Sequence, residues 1–328
     1  MSRMRLASVA LTLALAASPT YASQFTINAT FDSSITSDPN ASSIEAIINS
    51  AIVTYETLFT DPITVAIDFK AMASGLGQSS SNDVGINYAA FYAAYAANAA
   101  HNNNAAASTA LAAGVVPNLA SNPLAGLSGI TPSSEIVLTN ADAKALGLCI
   151  GCIGSGFDGT VTLNTQITNP GSAGSSLQYY LMPVVEHEID EVLGLGSAFA
   201  QSYQNSAITP EDLFRYDSSG NRSYSTSPTA QAYFSIDGTT DLVQFNNGTN
   251  GGDWGDWDSS SVSRVQNAFA TGGADPSLGV EITALEAIGY DLANPSPIDV
   301  LTPEPGTIGL FGLGFAGFGA LAWRRRRA

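Results

Sequence analysis

Basic residues are scarce in this chain of 328 residues. Only 11 are Lys or Arg, against 28 Asp or Glu, and the formal net charge at pH 7 is -17. Six of the 11 lie at the two ends, at Arg3, Arg5 and 324–327, which leaves five in between. Binding to nucleic-acid phosphates needs a basic surface, so we expect no nucleic-acid partner. A surface of this charge favours cations instead.

Histidine and cysteine are equally rare, with two of each. The cysteines form one Cys149-Ile150-Gly151-Cys152 motif. A structural zinc site would need a second pair of cysteines, and a redox site would need to lie in a βαβ unit; the sequence indicates neither. We therefore predict a local disulfide between Cys149 and Cys152. His101 stands beside three asparagines, and we interpret it as a solvated loop residue, with a metal-ligand role as the alternative.

The first 22 residues have the pattern of a secretory signal peptide. Arg3 and Arg5 precede an apolar run over residues 6–17, and small residues follow, with cleavage expected after Ala22. A membrane anchor is the alternative, but the run is shorter than the roughly 20 residues that a spanning helix needs. The signal predicts export through the Sec machinery.

The C-terminal end, residues 299–328, has the pattern of an address. Pro303-Glu304-Pro305 precedes an apolar run over 307–323, which we predict to be a transmembrane helix, and four arginines at 324–327. This tail resembles the PEP-CTERM sorting signal of Gram-negative bacteria, also catalogued as an ice-binding-protein C-terminal domain. The resemblance implies transient anchoring in the inner membrane, an exosortase partner that removes the tail, and release to the cell surface or extracellular matrix. A permanent single-span anchor is the alternative.

The body, residues 23–298, predicts an α+β domain with a mixed sheet and a loop-rich C-terminal half. Alternating apolar residues predict strands, and apolar residues at helical spacing predict helices. The predicted strands are 25–31, 62–69, Glu135–Thr139, an exposed edge strand at 158–164, which could bind an extended peptide, and 232–236. The predicted helices are 44–59, two within 87–114, 141–146, one starting near Pro183, and 282–292.

The helix that starts near Pro183 carries four carboxylates in six positions, residues 186–191. At about 100° per residue, its apolar residues fall on one side, while His187, Glu191 and Gly194 fall on the other. Like charges at this spacing repel, so the helix calls for a cation, and a divalent metal is the simplest one. Ligands at i and i+4 share a helix face, which makes His187 and Glu191 candidate metal ligands. Glu188 takes the position of a base.

The third metal ligand must come from elsewhere, because no histidine follows His187. Besides His101, the sequence offers a glycine- and aspartate-rich cluster at 251–258. We choose Asp256 first, with Asp253 and Asp258 in reserve. Zinc is the expected ion, and Ca²⁺ is the alternative, although the spacing does not match an EF-hand loop.

The motif His187-Glu188-x-x-Glu191-x-x-Gly194 resembles the metzincin pattern of zincin metalloproteases. It departs at Glu191, which replaces a second histidine, and at Ser197, which stands at the usual third-ligand position. It is more similar to a group of predicted PEP-CTERM-sorted metalloproteases with an H-E-x-x-E-V-L-G form. That similarity extends to residues 212–216, 233–238, the aspartate cluster and 285–291.

The resemblance implies a zincin-like domain that hydrolyses peptide bonds of surface or matrix proteins as a zinc-dependent endopeptidase. His187 and Glu191 would bind zinc, and Glu188 would be the general base. Metzincins place a methionine turn below the metal; no methionine follows Met182, so residues 288–290 are expected there instead. The alternative is a non-catalytic matrix or adhesion protein with a structural metal site or a degenerate protease site.

Overall fold

The computed structural model describes residues 25–101, 104–124, 133–149, 152, 156–170, 178–200, 208–225, 227, 229–247, 251–260 and 262–294. The helices in these ranges are α1 Ser33–Thr36, α2 Ala41–Leu58, α3 Tyr88–His101, α4 Ala105–Ala113, α5 Asn140–Ala145, α6 Leu181–Leu193 and α7 Val280–Ile288. The strands are β1 Thr26–Phe31, β2 Thr64–Ala71, β3 Gly77–Ser81, β4 Asp83–Asn87, β5 Glu135–Thr139, β6 Gly159–Leu163, β7 Thr168–Asn169, β8 Tyr179–Tyr180, β9 Arg215–Tyr216, β10 Tyr233–Phe234 and β11 Val243–Gln244. The predicted signal peptide, sorting tail and transmembrane helix lie outside the described residues.

The largest sheet has the strand order β1-β2-β6-β3. β1, β2 and β6 are parallel, and β3 runs antiparallel to β6, with Gly77 opposite Leu163 and Ser81 opposite Gly159. This is a mixed sheet, and the described chain also contains three smaller sheets. Together with the helices they confirm the predicted α+β class.

The predicted edge strand at 158–164 is wrong in its position. It forms β6, which lies between β2 and β3. The outer strand on the β6 side of the sheet is β3, which the sequence did not predict because Gly-Gln-Ser-Ser-Ser has no apolar alternation. Within the described chain, β3 has a strand partner on one side only. Helix α6 packs across β6 and β3, which places the acidic helix beside this free edge.

The core forms where the sheet meets the helices. In α2, Ile44, Ile48, Ile52 and Tyr55 recur at helical spacing and are buried, as the periodicity predicted. Aromatic rings continue this core toward the end of the described chain: the rings of Phe59 and Tyr290 have centroids 5.2 Å apart, and Phe25 contacts both rings edge to face. α2 also contacts α6, so the core directly supports the acidic helix.

Two predicted elements are longer than the observed ones. The predicted helix 282–292 is α7, which ends at Ile288 because Gly289 has φ 135°, a conformation that favours glycine and stops the helix. The predicted strand at 232–236 shrinks to β10. The break between α3 and α4 falls at the predicted asparagine run. Cys149 and Cys152 are joined in a disulfide with Cα atoms 5.1 Å apart.

Asn104 ties α4 to α7. Its Oδ1 accepts a hydrogen bond from Ala107 N (2.8 Å), which caps α4, and its Nδ2 donates to the carbonyls of Glu286 (2.9 Å) and Tyr290 (3.0 Å). The side chain is buried, so water cannot replace these bonds. Asn104 therefore provides hydrogen-bond partners for backbone groups at the beginning of α4 and at the end of α7.

We expect Asn104→Ala to lower the free energy of unfolding by about 2–4 kcal/mol, because α4 loses its cap, the Tyr290 carbonyl loses its partner and the Glu286 carbonyl keeps only its bond from Gly289 N (3.2 Å). Asn40→Ala is the matched control, because Asn40 precedes α2 without a side-chain capping bond and is exposed. Denaturant unfolding measures both. Equal losses in the two variants would contradict the role of Asn104.

Asp61 holds the last described segment. Its Oδ2 accepts a hydrogen bond from Asp291 N (2.9 Å), while Thr60 N donates to Asp291 O (2.8 Å) and Ala293 N donates to Leu58 O (2.8 Å). Burial, reinforced by the charge of Asp291, raises the pKa of Asp61 to about 7. The folded protein therefore binds a proton here that the unfolded chain releases above a pKa of about 3.9.

Stability should consequently fall as pH rises from about 4 to about 7, by up to about 1.4 kcal/mol per unit from this group, and stay lower above that window. We expect Asp61→Asn to flatten this slope. The variant should match the wild-type protein near pH 4 and exceed its unfolding free energy by about 2–4 kcal/mol at pH 8. Urea unfolding across the pH range tests this; parallel pH profiles for the two proteins would contradict it.

Candidate metal centre

Helix α6 carries the acidic motif into the core. Val185, Ile189, Val192 and Leu193 are fully buried, as the apolar stripe predicted. The helix ends at Gly194, with φ 125°, and a Cβ there would lie 3.1 Å from Ile288 Cδ1. The end of α7 thus supports the end of α6, while the role of residues 288–290 below a metal stays a prediction.

Glu186 and Asp190, which had no predicted role, also point into the interior. Tyr55 Oη lies 2.7 Å from Asp190 Oδ1 and 2.9 Å from the Glu186 carbonyl oxygen. One hydroxyl hydrogen cannot serve two acceptors fully. Burial, with the charge of Glu281, raises the pKa of Asp190 well above its ordinary value. The protonated form of Asp190 is therefore favoured, and the Tyr55 hydroxyl links its carboxyl group to the backbone of α6.

His187 is held by the chain that follows the aspartate cluster. Its Nδ1 lies 3.0 Å from the carbonyl oxygen of Val265, and because a carbonyl can only accept, Nδ1 carries the hydrogen. Nε2 then faces the carboxylates, 3.5 Å from Glu191 Oε1 and 3.7 Å from Asp256 Oδ1. Burial lowers the pKa of His187, but the charges of Asp256 and Glu191 outweigh it and raise the pKa well above its usual value. A proton or a metal cation is therefore strongly favoured at Nε2.

Glu191 is fixed from the opposite side by the edge strand. Its Oε2 accepts a hydrogen bond of 2.6 Å from Ser79 Oγ in β3. Burial opposes ionisation of Glu191, yet hydrogen bonds with His187 and Ser79 lower its pKa overall. Glu191 is thus a carboxylate at neutral pH, with Oε1 directed to the histidine.

Glu188 lies beside these groups, under β3. A Cβ on Gly77 would lie 2.8 Å from Glu188 Cδ and 2.9 Å from Val184 Cγ1, so only glycine lets β3 approach the helix this closely. Glu188 Oε2 is buried and has no hydrogen-bond partner in the described chain. Burial, and then the charge of Glu191, raises the pKa of Glu188 well above its ordinary value. The site therefore contains a buried acid oxygen that is available to a ligand.

The aspartate cluster folds back over the end of α6. A Cβ on Gly255 would lie 2.6 Å from Gly196 Cα, so the absence of a side chain permits the contact. Asp256 Oδ1 accepts a hydrogen bond from Gln266 Nε2 (3.0 Å), and burial raises the pKa of Asp256 to about 7. Asp253 is exposed at the mouth of the site.

Two groups of potential ligands emerge in the described chain, with the atoms of each group within 4.8 Å of one another: His187, Glu188 and Glu191, and Glu191, Asp253 and Asp256. The structure thus brings together the predicted residues of the helix and the first-choice aspartate. Asp258 lies elsewhere, with Oδ1 accepting from Ser260 N (2.9 Å). His101 is exposed at the end of α3 and belongs to neither group.

Several supporting residues were missed or left without a role by the sequence analysis. Ser197, at the third-ligand position of the metzincin pattern, donates its hydroxyl hydrogen to Asp212 Oδ1 (2.6 Å). Glu211 Oε2 accepts from Gly196 N (2.5 Å), and buried Arg215 donates to the carbonyl of Trp254 (2.5 Å). The segment after α6 and the aspartate cluster are therefore held by one network. In the sequence, only the resemblance over residues 212–216 indicated that this network matters.

Two cavities flank the site. The larger, about 360 Å³, lies on the Glu191 side, between β3, residues 194–198 and the two aspartates Asp253 and Asp256. The smaller, about 120 Å³, lies on the other side and is bordered by His187, Glu188 and residues 263–265. The free edge of β3 runs along both.

Comparisons with known proteins identify a sorting signal at the C-terminal end. Residues 301–327 match the PEP-CTERM protein-sorting motif. This confirms the predicted sorting tail, and it implies export, membrane anchoring through the C-terminal signal and exosortase-mediated sorting. No curated protein and no solved structure matches the chain. The similarity to zincin metalloproteases therefore stays a prediction. Among the helices of the described residues, none combines the length and apolarity required to cross a membrane.

The protein's two histidines provide a direct test of metal binding. We expect His187→Ala to weaken Zn²⁺ binding by about a hundredfold or more, because even indirect changes at metal sites cost about 10–100-fold. His101→Ala, at an exposed position away from the cluster, should leave the affinity unchanged. Competition with a chromophoric chelator measures both. Similar affinities for the wild-type protein and the His187→Ala variant would exclude this centre.

Proposed function

We propose that the protein is an exported zinc-dependent endopeptidase that acts on surface or matrix proteins. The observation that supports this best is the convergence of His187 Nε2, Glu191 and Asp256, with the unpartnered Glu188 Oε2 beside them. An imidazole nitrogen with carboxylate oxygens suits zinc, whereas Ca²⁺ takes oxygen ligands. His187, Glu191 and Asp256 would hold the ion, and Asp253 lies close enough to join them.

The chemistry would be hydrolysis by a water molecule. Bound zinc would supply Lewis acidity that polarises the peptide carbonyl and makes water a stronger acid. Glu188 would accept a proton from that water. As the new C–O bond forms and the C–N bond breaks, Glu188 returns the proton to the leaving amine, so one water is consumed per peptide bond.

The raised pKa of Glu188 bears on this role. Without a cation, burial and then the charge of Glu191 raise the pKa of Glu188 and so favour its protonated form, which cannot act as a base. A divalent cation beside it favours the ionised form. Glu188 would therefore become a base only in the metal-loaded protein, with a pKa high enough to retain a proton for transfer.

The surroundings of the site support a polypeptide substrate. β3 offers unpaired backbone groups directly beside Glu188 and Glu191, and an extended chain can pair with such an edge. Export of the protein places it where surface and matrix proteins are available. During sorting, its partners would be the Sec machinery and an exosortase.

The decisive experiment compares the wild-type chain with Glu188→Gln. We expect the purified full-length protein to bind one zinc and to hydrolyse casein, and the variant to keep zinc but lose about 10²–10⁴-fold in kcat. Glu45→Gln, on α2 and outside both cavities, is the matched control and should keep full activity.

Zinc binding with equal activity in the wild-type protein and Glu188→Gln would contradict the proposal. So would zinc binding with no hydrolysis of casein by the wild-type protein, which would favour the alternative of a matrix or adhesion protein with a structural metal site. Absence of stoichiometric zinc would contradict both the metal assignment and the reaction.

A further inference from the structure

The five basic residues between the two ends are not used alike. Lys70 pairs with Asp68 (2.8 Å) and Lys144 with Asp158 (2.6 Å). Arg215 donates to the Trp254 carbonyl and Arg222 donates to the carbonyls of Leu213 and Val115, so both guanidinium groups are engaged inside the protein. The fifth, Arg264, forms no side-chain hydrogen bond and no ion pair with any described residue.

Arg264 lies beside the site. It immediately precedes Val265, whose carbonyl holds His187, and it borders the smaller cavity together with His187 and Glu188. On its other side is a depression bordered by Asp241 and Asp258, and neither aspartate pairs with it. The side chain is half-buried. A cation that is partly withdrawn from water and left unpaired in so acidic a protein is a candidate for binding an anionic ligand.

Asn267 provides a second, independent observation at the same cavity. It is 4% exposed, and its Nδ2 donates to Val262 O (2.8 Å). Its Oδ1 is buried without a hydrogen-bond partner among the described residues. Since Asn267 borders the smaller cavity, this acceptor is available to an N–H group of a ligand there. With respect to the described residues, the cavity thus combines an unpaired cation with an unpaired acceptor.

The position of Glu188 decides which part of a substrate would enter this cavity. Glu188 borders the smaller cavity and not the larger one. In the proposed reaction Glu188 gives its proton to the leaving amine, so the leaving-amine side of the substrate lies next to the smaller cavity. A group bound by Arg264 and Asn267 therefore belongs to the residues that follow the scissile bond.

We propose that the Arg264 cavity binds a carboxylate on the leaving-amine side of a peptide substrate, with Asn267 Oδ1 accepting a backbone N–H. The proposal rests on the proposed peptidase function. Guanidinium and carboxylate match in planar, two-bond geometry, which makes Arg264 selective for this group over an amide. The carboxylate is either the C-terminus of a short peptide or the side chain of an acidic residue.

Four matched peptides distinguish these sources. They carry glutamate or glutamine after the scissile bond, each with a free or an amidated C-terminus. We expect the zinc-loaded wild-type protein to favour the carboxylate by about tenfold in kcat/KM, mainly through KM, as for a hydrogen bond to a charged group. An effect of glutamate in the amidated pair identifies the side chain, and an effect of the free terminus in the glutamine pair identifies the C-terminus.

The variants assign the preference to Arg264. Arg264→Gln should abolish it, Arg264→Lys should retain part of it, and Lys70→Gln, with the same charge change outside the three cavities, should leave it intact. Thermal unfolding checks that each variant is folded. If Arg264→Gln fails to fold, the Arg264→Lys result decides, since loss of the planar two-bond pairing should still weaken the preference several-fold.

A binding measurement keeps this proposal separate from the peptidase function. Fluorescence anisotropy of the four labelled peptides on zinc-loaded Glu188→Gln protein, with and without Arg264→Gln, needs no turnover. A carboxylate preference that depends on Arg264 supports the proposal even if the wild-type protein hydrolyses nothing, an outcome that would contradict only the peptidase function. No preference, or a preference that survives Arg264→Gln and so arises from the metal itself, overturns it.

Discussion

The burial of an acidic helix is the constraint on which the structure depends. An isolated carboxylate in a protein interior costs several kcal/mol unless it is neutralised or hydrogen-bonded, and α6 places Glu186, Glu188 and Asp190 there together. The structure accommodates each of these carboxyl groups in a different way. The raised pKa of Asp190 favours its protonated form beside Tyr55, whereas burial is outweighed at Glu191 by the hydrogen bonds with His187 and Ser79, which lower its pKa. The pKa of Glu188 is raised as well, and its Oε2 has no hydrogen-bond partner in the described chain. The surface of α6 that faces β3 is therefore the one part of the helix whose electrostatics call for a ligand.

Much of the fold could be predicted because its signals are local. The alternation in β1 and the apolar spacing in α2 identify these elements to within a few residues, and the asparagine run correctly separates α3 from α4. Strand β3 could not be found this way, since three serines in a row carry no pattern of burial. Because β3 was not predicted, the neighbouring strand β6 was predicted to be the edge strand of the sheet. The error therefore arose from one polar strand whose place is set by pairing with a distant segment.

The site shows the same division between local and distant information. His187, Glu188 and Glu191 could be grouped from helix geometry alone, and Asp256 from the composition of its loop. The groups that hold them could not, because each contact joins segments far apart in the chain. The sequence did not indicate a role for Gly77, because this residue contributes only by lacking a side chain that would clash with Glu188. The disulfide between Cys149 and Cys152, by contrast, closes a loop so short that its composition sufficed to suggest it.

The distance along the chain between the two halves of the cluster has a consequence for when the cluster exists. Glu191 and Asp256 meet only after β3, the 3-10 turn Glu211–Phe214 and the aspartate loop have all reached their final places. An unfolded chain would have to close this long loop before the two carboxylates could act together, which makes a chelate effect small. For a protein that carries an export address, occupancy of the site would then follow folding at the destination. The ion available outside the cytoplasm, rather than the one inside, would decide what the cluster holds.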